Sequence, residues 1–186
     1  MSTPWSHRYA FRIAKVKGSA IRELLKLTQR PEIISFAGGL PAGELFPTER
    51  FAEACRKVLL EKPQIALQYG PTEGYGPLRE MISQNLNRYG IPASPENVLI
   101  TSGSQQALDL IAKLLINRGD QVLSEAPTYL GALQAFNVFG ARYVTVPIDD
   151  DGIRTDMLEE ALRTGPKFMY LLPNFQNPGG VTMSLE

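Results

Sequence analysis

Cysteine and histidine are almost absent from this sequence, and these absences limit its chemistry. There is one cysteine, Cys55, and one histidine, His7, among 186 residues. A single cysteine excludes an intrachain disulfide. Because Cys55 lies in a predicted helix, we expect a buried, inert thiol. His7 has no carboxylate or thiolate partners at the spacing of metal ligands, so we predict no metal site.

Long apolar runs and an excess of either charge are also missing. No stretch reaches the roughly 18 consecutive apolar residues of a membrane-spanning helix, and the N-terminus lacks the apolar segment of a signal peptide. Lys plus Arg and Asp plus Glu both number 19, so the net charge is zero. Nucleic acids and anionic membranes attract proteins with a basic excess. We therefore expect a cytoplasmic protein that binds neither.

A regular alternation of strand and helix patterns is present in the second half of the chain. Apolar strands are predicted at Val98–Ile100, Gln121–Ser124, Arg142–Val146 and Phe168–Leu172. Helical spacing is found between them, at Gln105–Asn117, from Tyr129 to about Phe139, and at Thr155–Arg163. Alternating βα units with apolar strands predict an α/β fold with a mostly parallel sheet covered by helices.

The first half of the chain is less regular. Residues 1 to about 18 form a polar, basic arm, and a first helix is predicted at Ser19–Thr28. A second helix runs from Glu49 to about Leu60. The glycine-rich stretches Ala37–Gly43 and Leu67–Arg79 predict loops, and the latter leads into a helix that ends near Tyr89.

The turn Thr101–Gln105 is the first candidate binding element. It is small and rich in hydroxyl groups, and it lies between a predicted strand and a predicted helix. Its N–H groups and hydroxyls can face an anion, because a helix N-terminus carries about half a positive charge. The turn therefore suits a phosphate, although the same residues could serve only as a helix cap.

Three loops leave the carboxyl ends of predicted strands, where open α/β sheets bind ligands. They are Thr101–Gln105, Glu125–Tyr129 and Pro173–Gly180. Tyr129 could stack on a flat ring, and Asn177 could form a hydrogen bond with a ring substituent. The set suits a heteroaromatic ligand that carries a phosphate. A dinucleotide is disfavoured, because the first strand–helix turn has no G-x-G-x-x-G.

Five motifs in this order resemble those of fold-type I, pyridoxal-phosphate-dependent aminotransferases of class I/II, closest to the 2-aminoadipate aminotransferase-like branch. The motifs are Ser35-Phe-Ala-Gly-Gly-Leu-Pro41, Gln68-Tyr-Gly-Pro-Thr-Glu-Gly74, Thr101-Ser-Gly-Ser-Gln-Gln-Ala-Leu-Asp109, Glu125-Ala-Pro-Thr-Tyr129 and Phe175-Gln-Asn-Pro178. Ser19–Leu25 is similar to the first helix of that branch. The resemblance implies the N-terminal part of the three-layer αβα transferase fold. Residues 1–35 would be an arm and first helix, and residues 36–186 an incomplete large cofactor-binding domain.

The resemblance also implies a cofactor, pyridoxal 5′-phosphate, and a homodimer. Gly103, Ser104 and Gln105 would hold the phosphate of this cofactor. The ring of Tyr129 would stack on the pyridine, and the amide of Asn177 would bind the 3-oxygen. Tyr69 would reach the cofactor phosphate of the neighbouring subunit.

The implied substrates are an amino acid and a 2-oxo acid. Gly39 would contact the substrate through its backbone, and Asn177 would help to seat the substrate carboxylate. Arg22 would face a distal carboxylate, as in the aminoadipate-like members, but a solvated helix charge explains Arg22 equally well.

Two departures from the family pattern bear on activity. The family usually has Asn-Pro-Thr-Gly where this chain has Asn177-Pro-Gly-Gly180, and we expect a looser turn. The family's Schiff-base lysine, the acidic partner of the pyridine nitrogen and the arginine for the α-carboxylate are expected beyond Glu186. We therefore predict no catalytic residue within the chain, which would be an N-terminal fragment inactive by itself.

Two other functions remain open from the sequence. The chain could be a degenerate, non-catalytic protein that binds the cofactor or a partner. The same fold could also support another reaction of the cofactor, such as β-elimination or decarboxylation. A regulator with an aminotransferase-like domain is disfavoured, because the segment before Ser35 is too short for a helix-turn-helix module.

Overall fold

The computed structural model describes residues 4–15, 32–34 and 41–185. These residues belong to two compact units, one within Met1–Lys17 and Ser102–Glu186 and the other within Gly18–Thr101. The predicted helix Ser19–Thr28 lies outside the described residues. So does the predicted domain division between residues 35 and 36, and both stay predictions.

The unit within Gly18–Thr101 is helical in its described part. Its α-helices are α1 (Thr48–Glu61), α2 (Pro63–Ala66) and α3 (Gly76–Arg88). Helix α1 confirms the prediction from Glu49 to about Leu60, although no residue of this helix is buried. Cys55 is consequently exposed, so the expectation of a buried thiol is wrong. Helical spacing predicted the helix correctly but not what covers its apolar side.

The segment Val98–Ile100 is extended but is not a strand of a sheet, so the prediction of a strand there is wrong. The carbonyl oxygen of Val98 accepts a hydrogen bond from Arg79 Nε at 2.9 Å. The N–H of Ile100 donates to the carbonyl oxygen of Glu73 at 2.9 Å. These backbone groups are therefore paired with α3 and with the loop before it rather than with a neighbouring strand. A short apolar run cannot distinguish the two arrangements.

The unit within Met1–Lys17 and Ser102–Glu186 holds a four-stranded sheet of order β3-β2-β1-β4. Strand β1 is parallel to both β2 and β4, and β3 is antiparallel to β2. The mostly parallel sheet is thus confirmed. Strand β3, which was not predicted, pairs with β2 across the turn at Asp150 and Asp151. In chain order the elements are α4 (Ser104–Leu115), β1 (Gln121–Ala126), α5 (Leu130–Val138), β2 (Arg142–Asp149), β3 (Gly152–Ile153), α6 (Thr155–Arg163) and β4 (Phe168–Tyr170).

Helices cover both faces of this sheet, which gives the unit the three-layer αβα arrangement. Val122 and Leu123 are adjacent in β1 and fully buried, but they belong to different apolar clusters. Successive strand residues point to opposite faces. The Val122 cluster packs against α4 and α5, where Phe136 makes edge-to-face contacts with Phe168 and Tyr170 at 5.7 Å. The Leu123 cluster includes Ala161 of α6.

Candidate functional site

A pocket of about 390 Å³ lies among the ends of α4, β4 and their adjoining loops. It brings together three sequence-predicted site residues from distant parts of the chain, namely Ser104, Tyr129 and Asn177. Its volume falls within the range of small-molecule sites. The remaining lining residues are Ala107, Leu108, Tyr170 and Leu172.

The N-terminus of α4 borders the pocket through Ser104. Its N-cap is Gly103, whose φ of 87° favours glycine. The first turn holds no acidic residue and no side-chain cap hydrogen bond. Backbone N–H groups at Ser104 and Gln105 begin the helix there, and the helix dipole favours a negative charge near them.

Gln105 contributes to the site differently from Ser104. Its side-chain Nε2 donates to the carbonyl oxygen of Gly131 at 3.1 Å, which ties α4 to the first turn of α5. The side chain is thus engaged within the protein. The backbone N–H of Gln105, at the start of α4, is the group that suits the phosphate-binding role predicted from the sequence.

The ring of Tyr129 packs closely against Gly131. Tyr129 is the N-cap of α5, and its ring lies over Gly131 in the first turn of that helix. A Cβ at Gly131 would be 2.5 Å from Tyr129 Cε1 and 2.6 Å from Cζ. Such distances are far inside van der Waals contact. The absence of a side chain at Gly131 therefore permits this position of the ring.

Asn177 lies in the loop after β4 and lines the pocket that α4 also borders. The peptide bond Asn177–Pro178 is cis. The turn that follows is closely packed, contrary to the looser turn expected from the glycine at 179. The Gly179 N–H donates to Gln176 Oε1 at 2.6 Å. A Cβ at Gly179 would be 2.5 Å from Ile148 Cδ1, so the neighbouring side chains occupy the space that a threonine would take.

A buried carboxylate–carboxamide pair supports these loops, and sequence reasoning missed both members. Glu125 and Gln176 are only 2% and 3% exposed, and Gln176 Nε2 donates to Glu125 Oε2 at 3.1 Å. The N–H of Leu172 also donates to the Glu125 carboxylate, at 3.2 Å and 3.3 Å to its two oxygens. A charged residue within the buried strand β1 was the available signal, since a buried carboxylate requires donors.

Tyr170 forms part of the pocket wall and was also missed. Burial raises the pKa of its hydroxyl above the usual value, and the nearby Tyr129 and Glu125 raise it further. The group is therefore neutral at physiological pH and can donate a hydrogen bond. The only sequence signal for Tyr170 was its position in a predicted strand, two residues after Phe168 and on the same face of the sheet.

Among the other predicted site residues, Tyr69 does not line this pocket. Tyr69 belongs to the unit within Gly18–Thr101 and is 99% exposed. Arg22 and Gly39 lie outside the described residues, and their roles stay predictions. The seven lining residues of the pocket include no lysine, and no group of acidic, histidine or cysteine side chains in the described ranges could hold a metal ion.

The part of the chain that the structure describes contains no helix long and apolar enough to cross a membrane.

Comparisons with known proteins extend these observations. The family model for aminotransferase class I and II matches residues 31–186. A 2-aminoadipate transaminase of Thermus thermophilus is 54% identical over 180 residues, which are 96% of this chain and 44% of that protein. An aromatic-amino-acid aminotransferase of Thermococcus litoralis is 49% identical over 176 residues, or 91% of this chain and 42% of the relative.

A solved structure is also similar to this chain. The α-aminoadipate aminotransferase LysN of Thermus thermophilus, crystallised with N-(5′-phosphopyridoxyl)-L-leucine, superposes with a TM-score of 0.84 at 49% identity. The match covers 98% of this chain and 45% of that one. The chain thus spans less than half the length of the relatives that it matches. It belongs to the class I and II aminotransferase family.

Proposed function

We propose that this chain provides the cofactor-binding cradle of a pyridoxal-phosphate-dependent aminotransferase, which transfers amino groups from an amino acid to a 2-oxo acid. The observation that carries the proposal is the single pocket lined by Ser104, Tyr129 and Asn177. An anion-binding helix end, an aromatic ring and an amide match the phosphate, the pyridine and the 3-oxygen of the cofactor. The phosphopyridoxyl ligand of the LysN structure supports the same chemistry.

Each part of the cradle has a distinct task in this proposal. The backbone N–H groups at the start of α4, with Gly103 as its N-cap, bind the phosphate. The ring of Tyr129 packs against the pyridine and fixes its plane. The amide of Asn177 donates a hydrogen bond to the 3-oxygen and helps to seat the substrate carboxylate. When bound, pyridoxal phosphate supplies an electron sink for the substrate, and the protein supplies orientation.

The proposed substrate and subunit contacts extend beyond this pocket. Gly39 contacts the substrate through its backbone, and Arg22 binds a distal carboxylate, which would favour substrates such as 2-aminoadipate. Tyr69 reaches the phosphate bound by a neighbouring subunit, so the complete site requires a homodimer. The exposure of the Tyr69 side chain, 99%, is compatible with a contact made in trans.

The proposal assigns no catalytic base to this chain. Removal of a proton from the substrate requires a base within hydrogen-bond reach. The lining residues include neither lysine, histidine nor a carboxylate. The chain is therefore proposed to bind the cofactor but not to turn over by itself.

A fluorescence titration with N-(5′-phosphopyridoxyl)-L-leucine tests the cradle. This probe carries the phosphate, the ring and an amino acid in one molecule, and it needs no lysine for attachment. Tyr129→Ala and Asn177→Ala should each weaken binding about tenfold, the effect of losing about 1.4 kcal/mol of contact energy. Gln134→Ala, an exposed change on α5, is the matched control and should leave the affinity unchanged. Equal affinities for all four proteins would contradict the proposal.

A further inference from the structure

The side chain of Gln176 links the two loops that bear Tyr129 and Asn177. Its Nε2 donates to the carbonyl oxygen of Pro127 at 2.7 Å and to Glu125 Oε2 at 3.1 Å. Its Oε1 accepts the Gly179 N–H at 2.6 Å. The carboxamide therefore uses both donor hydrogens and its acceptor within the protein.

The backbone of Gln176 is anchored as firmly as its side chain. Its N–H donates to the carbonyl oxygen of Val181 at 2.8 Å, and its carbonyl oxygen accepts the N–H of Gly180 at 2.5 Å. The residue is 3% exposed, although the loop on both sides of it is exposed. A buried polar side chain in an exposed loop is costly unless every bond is made. Its position is thus fixed by many contacts at once.

Those contacts bear directly on the pocket. Pro127 is two residues before Tyr129, and Gln176 immediately precedes Asn177. A bond from Gln176 to the Pro127 carbonyl therefore fixes the separation of the two pocket residues. We infer that Gln176, held in place by the buried Glu125, is a positioning residue that sets the distance between the ring of Tyr129 and the amide of Asn177. This role rests on the proposed cofactor cradle.

Gln176→Met is the informative change, because methionine keeps the length and shape of the side chain and loses its polar atoms. Glu125 Oε2, the Pro127 carbonyl oxygen and the Gly179 N–H all lose a partner. The two loops are then free to move apart. Gln134→Met makes the same chemical change at an exposed position of α5 and is the matched control.

A mutant cycle separates positioning from general destabilisation. Affinity for N-(5′-phosphopyridoxyl)-L-leucine is measured with Asn177→Ala and with Ser104→Asp, each in the wild-type, Gln176→Met and Gln134→Met backgrounds. Asn177→Ala should weaken binding about tenfold in the wild type and less than about twofold with Gln176→Met, because the amide is already misplaced. Ser104→Asp repels the phosphate and should weaken binding by the same factor in every background.

The outcomes distinguish a failure of the proposed cofactor cradle from a failure of the positioning role of Gln176. If the wild type does not bind the probe, the cofactor cradle itself is wrong. If the wild type binds the probe, and Asn177→Ala weakens binding by the same factor with and without Gln176→Met, the cradle stands and the positioning role is overturned. If neither Asn177→Ala nor Ser104→Asp weakens binding in the Gln176→Met background, the whole site is disrupted. That result would also overturn the positioning role.

Amide hydrogen exchange tests the same link without any ligand. In Gln176→Met the Gly179 amide should exchange at least about tenfold faster, while the amide of the fully buried Val122 in β1 stays protected. Protection at Val122 shows that the fold is retained. Where Gln176→Met does not fold, Gln176→Asn replaces it in both experiments, because its shorter side chain cannot span Pro127 and Gly179. Unchanged exchange at Gly179 in a folded variant contradicts the link.

Discussion

At the scale of single residues, the glycine beneath Tyr129 gives a sharp test of how the pocket is built. Gly131→Ala would bring a Cβ to within 2.5 Å of the Tyr129 ring, so the ring must move. The probe should then bind about tenfold more weakly. Helix propensity favours alanine by about 0.5–1 kcal/mol, and this gain partly offsets the cost of the clash, about 1–3 kcal/mol.

The measurements are probe affinity and urea unfolding. Gly43→Ala is the matched control, because no atom of the described residues lies within 4 Å of a Cβ built at Gly43. Unchanged affinity with Gly131→Ala would mean that the observed position of the ring does not matter for binding.

Tyr143 predicts a dependence of stability on alkaline pH. Burial raises the pKa of Tyr143 to about 12, and its one hydroxyl hydrogen is shared between the Leu133 carbonyl oxygen at 3.2 Å and Asn137 Oδ1 at 3.1 Å. In the folded state the Tyr143 hydroxyl therefore stays neutral at pH values where it ionises in the unfolded chain, which has the usual tyrosine pKa of about 10. The contribution is fully present below about pH 10 and is lost as the pH rises towards about 12.

Urea unfolding of the wild type and Tyr143→Phe measures this contribution. At about pH 8 the wild type should be more stable by about 1 kcal/mol, the worth of the hydroxyl's hydrogen bonds. Above about pH 10 that advantage should fall by about 1–2 kcal/mol, a range reduced because the hydroxyl is only partly shielded from solvent. A constant difference across the range would refute the effect of burial.

The residue scale also shows how far the sequence could predict the site. Tyr129 and Asn177 were identified because each follows a predicted strand, and parallel strands end at one edge of a sheet. Ser104 was identified because it lies in a hydroxyl-rich turn before a predicted helix, although the segment Val98–Ile100 before that turn is not a strand of the sheet. Glu125 and Gln176 were missed. Their contact joins positions 51 residues apart and depends on side-chain direction, which spacing alone does not encode.

At the scale of elements, two leucines of α4 test where the core lies. Leu108 is 7% exposed and packs in the Val122 cluster, whereas Leu114 is 81% exposed. Leu108→Ala should lower the free energy of unfolding by about 2–4 kcal/mol, because it leaves a cavity. Leu114→Ala makes the same chemical change and should cost less than about 0.5 kcal/mol.

Urea unfolding of both variants gives the comparison directly. Similar losses for the two leucines would indicate that the exposed side of α4 is covered in solution.

Elements were predicted best where the pattern repeats. Helix α6 has the predicted bounds, Thr155–Arg163, because its apolar spacing is helical throughout. The extended segment Val98–Ile100 was predicted as a strand because three apolar residues carry no information about pairing partners. Strand β3 was missed because two residues, Gly152–Ile153, are too short to show alternation.

At the scale of the whole chain, the proposed pocket holds the cofactor but has no catalytic base. We therefore expect cofactor binding without amino transfer. After incubation with pyridoxal phosphate and borohydride reduction, no single lysine should be labelled above the others, because no lysine lines the pocket. Peptide mapping by mass spectrometry reads the result, and an assay of amino transfer should show no turnover. Stoichiometric labelling of one internal lysine would overturn the assignment of no catalytic base.

The central claim is that the phosphopyridoxyl group lies in the pocket formed by α4, Tyr129 and Asn177. The most direct measurement is a crystal structure of this chain with N-(5′-phosphopyridoxyl)-L-leucine bound. The account predicts the phosphate within hydrogen-bond distance of the N–H groups of Ser104 and Gln105. It also predicts the pyridine against the ring of Tyr129 and its 3-oxygen at the amide of Asn177. A ligand bound elsewhere, or bound here with its phosphate away from α4, would contradict it.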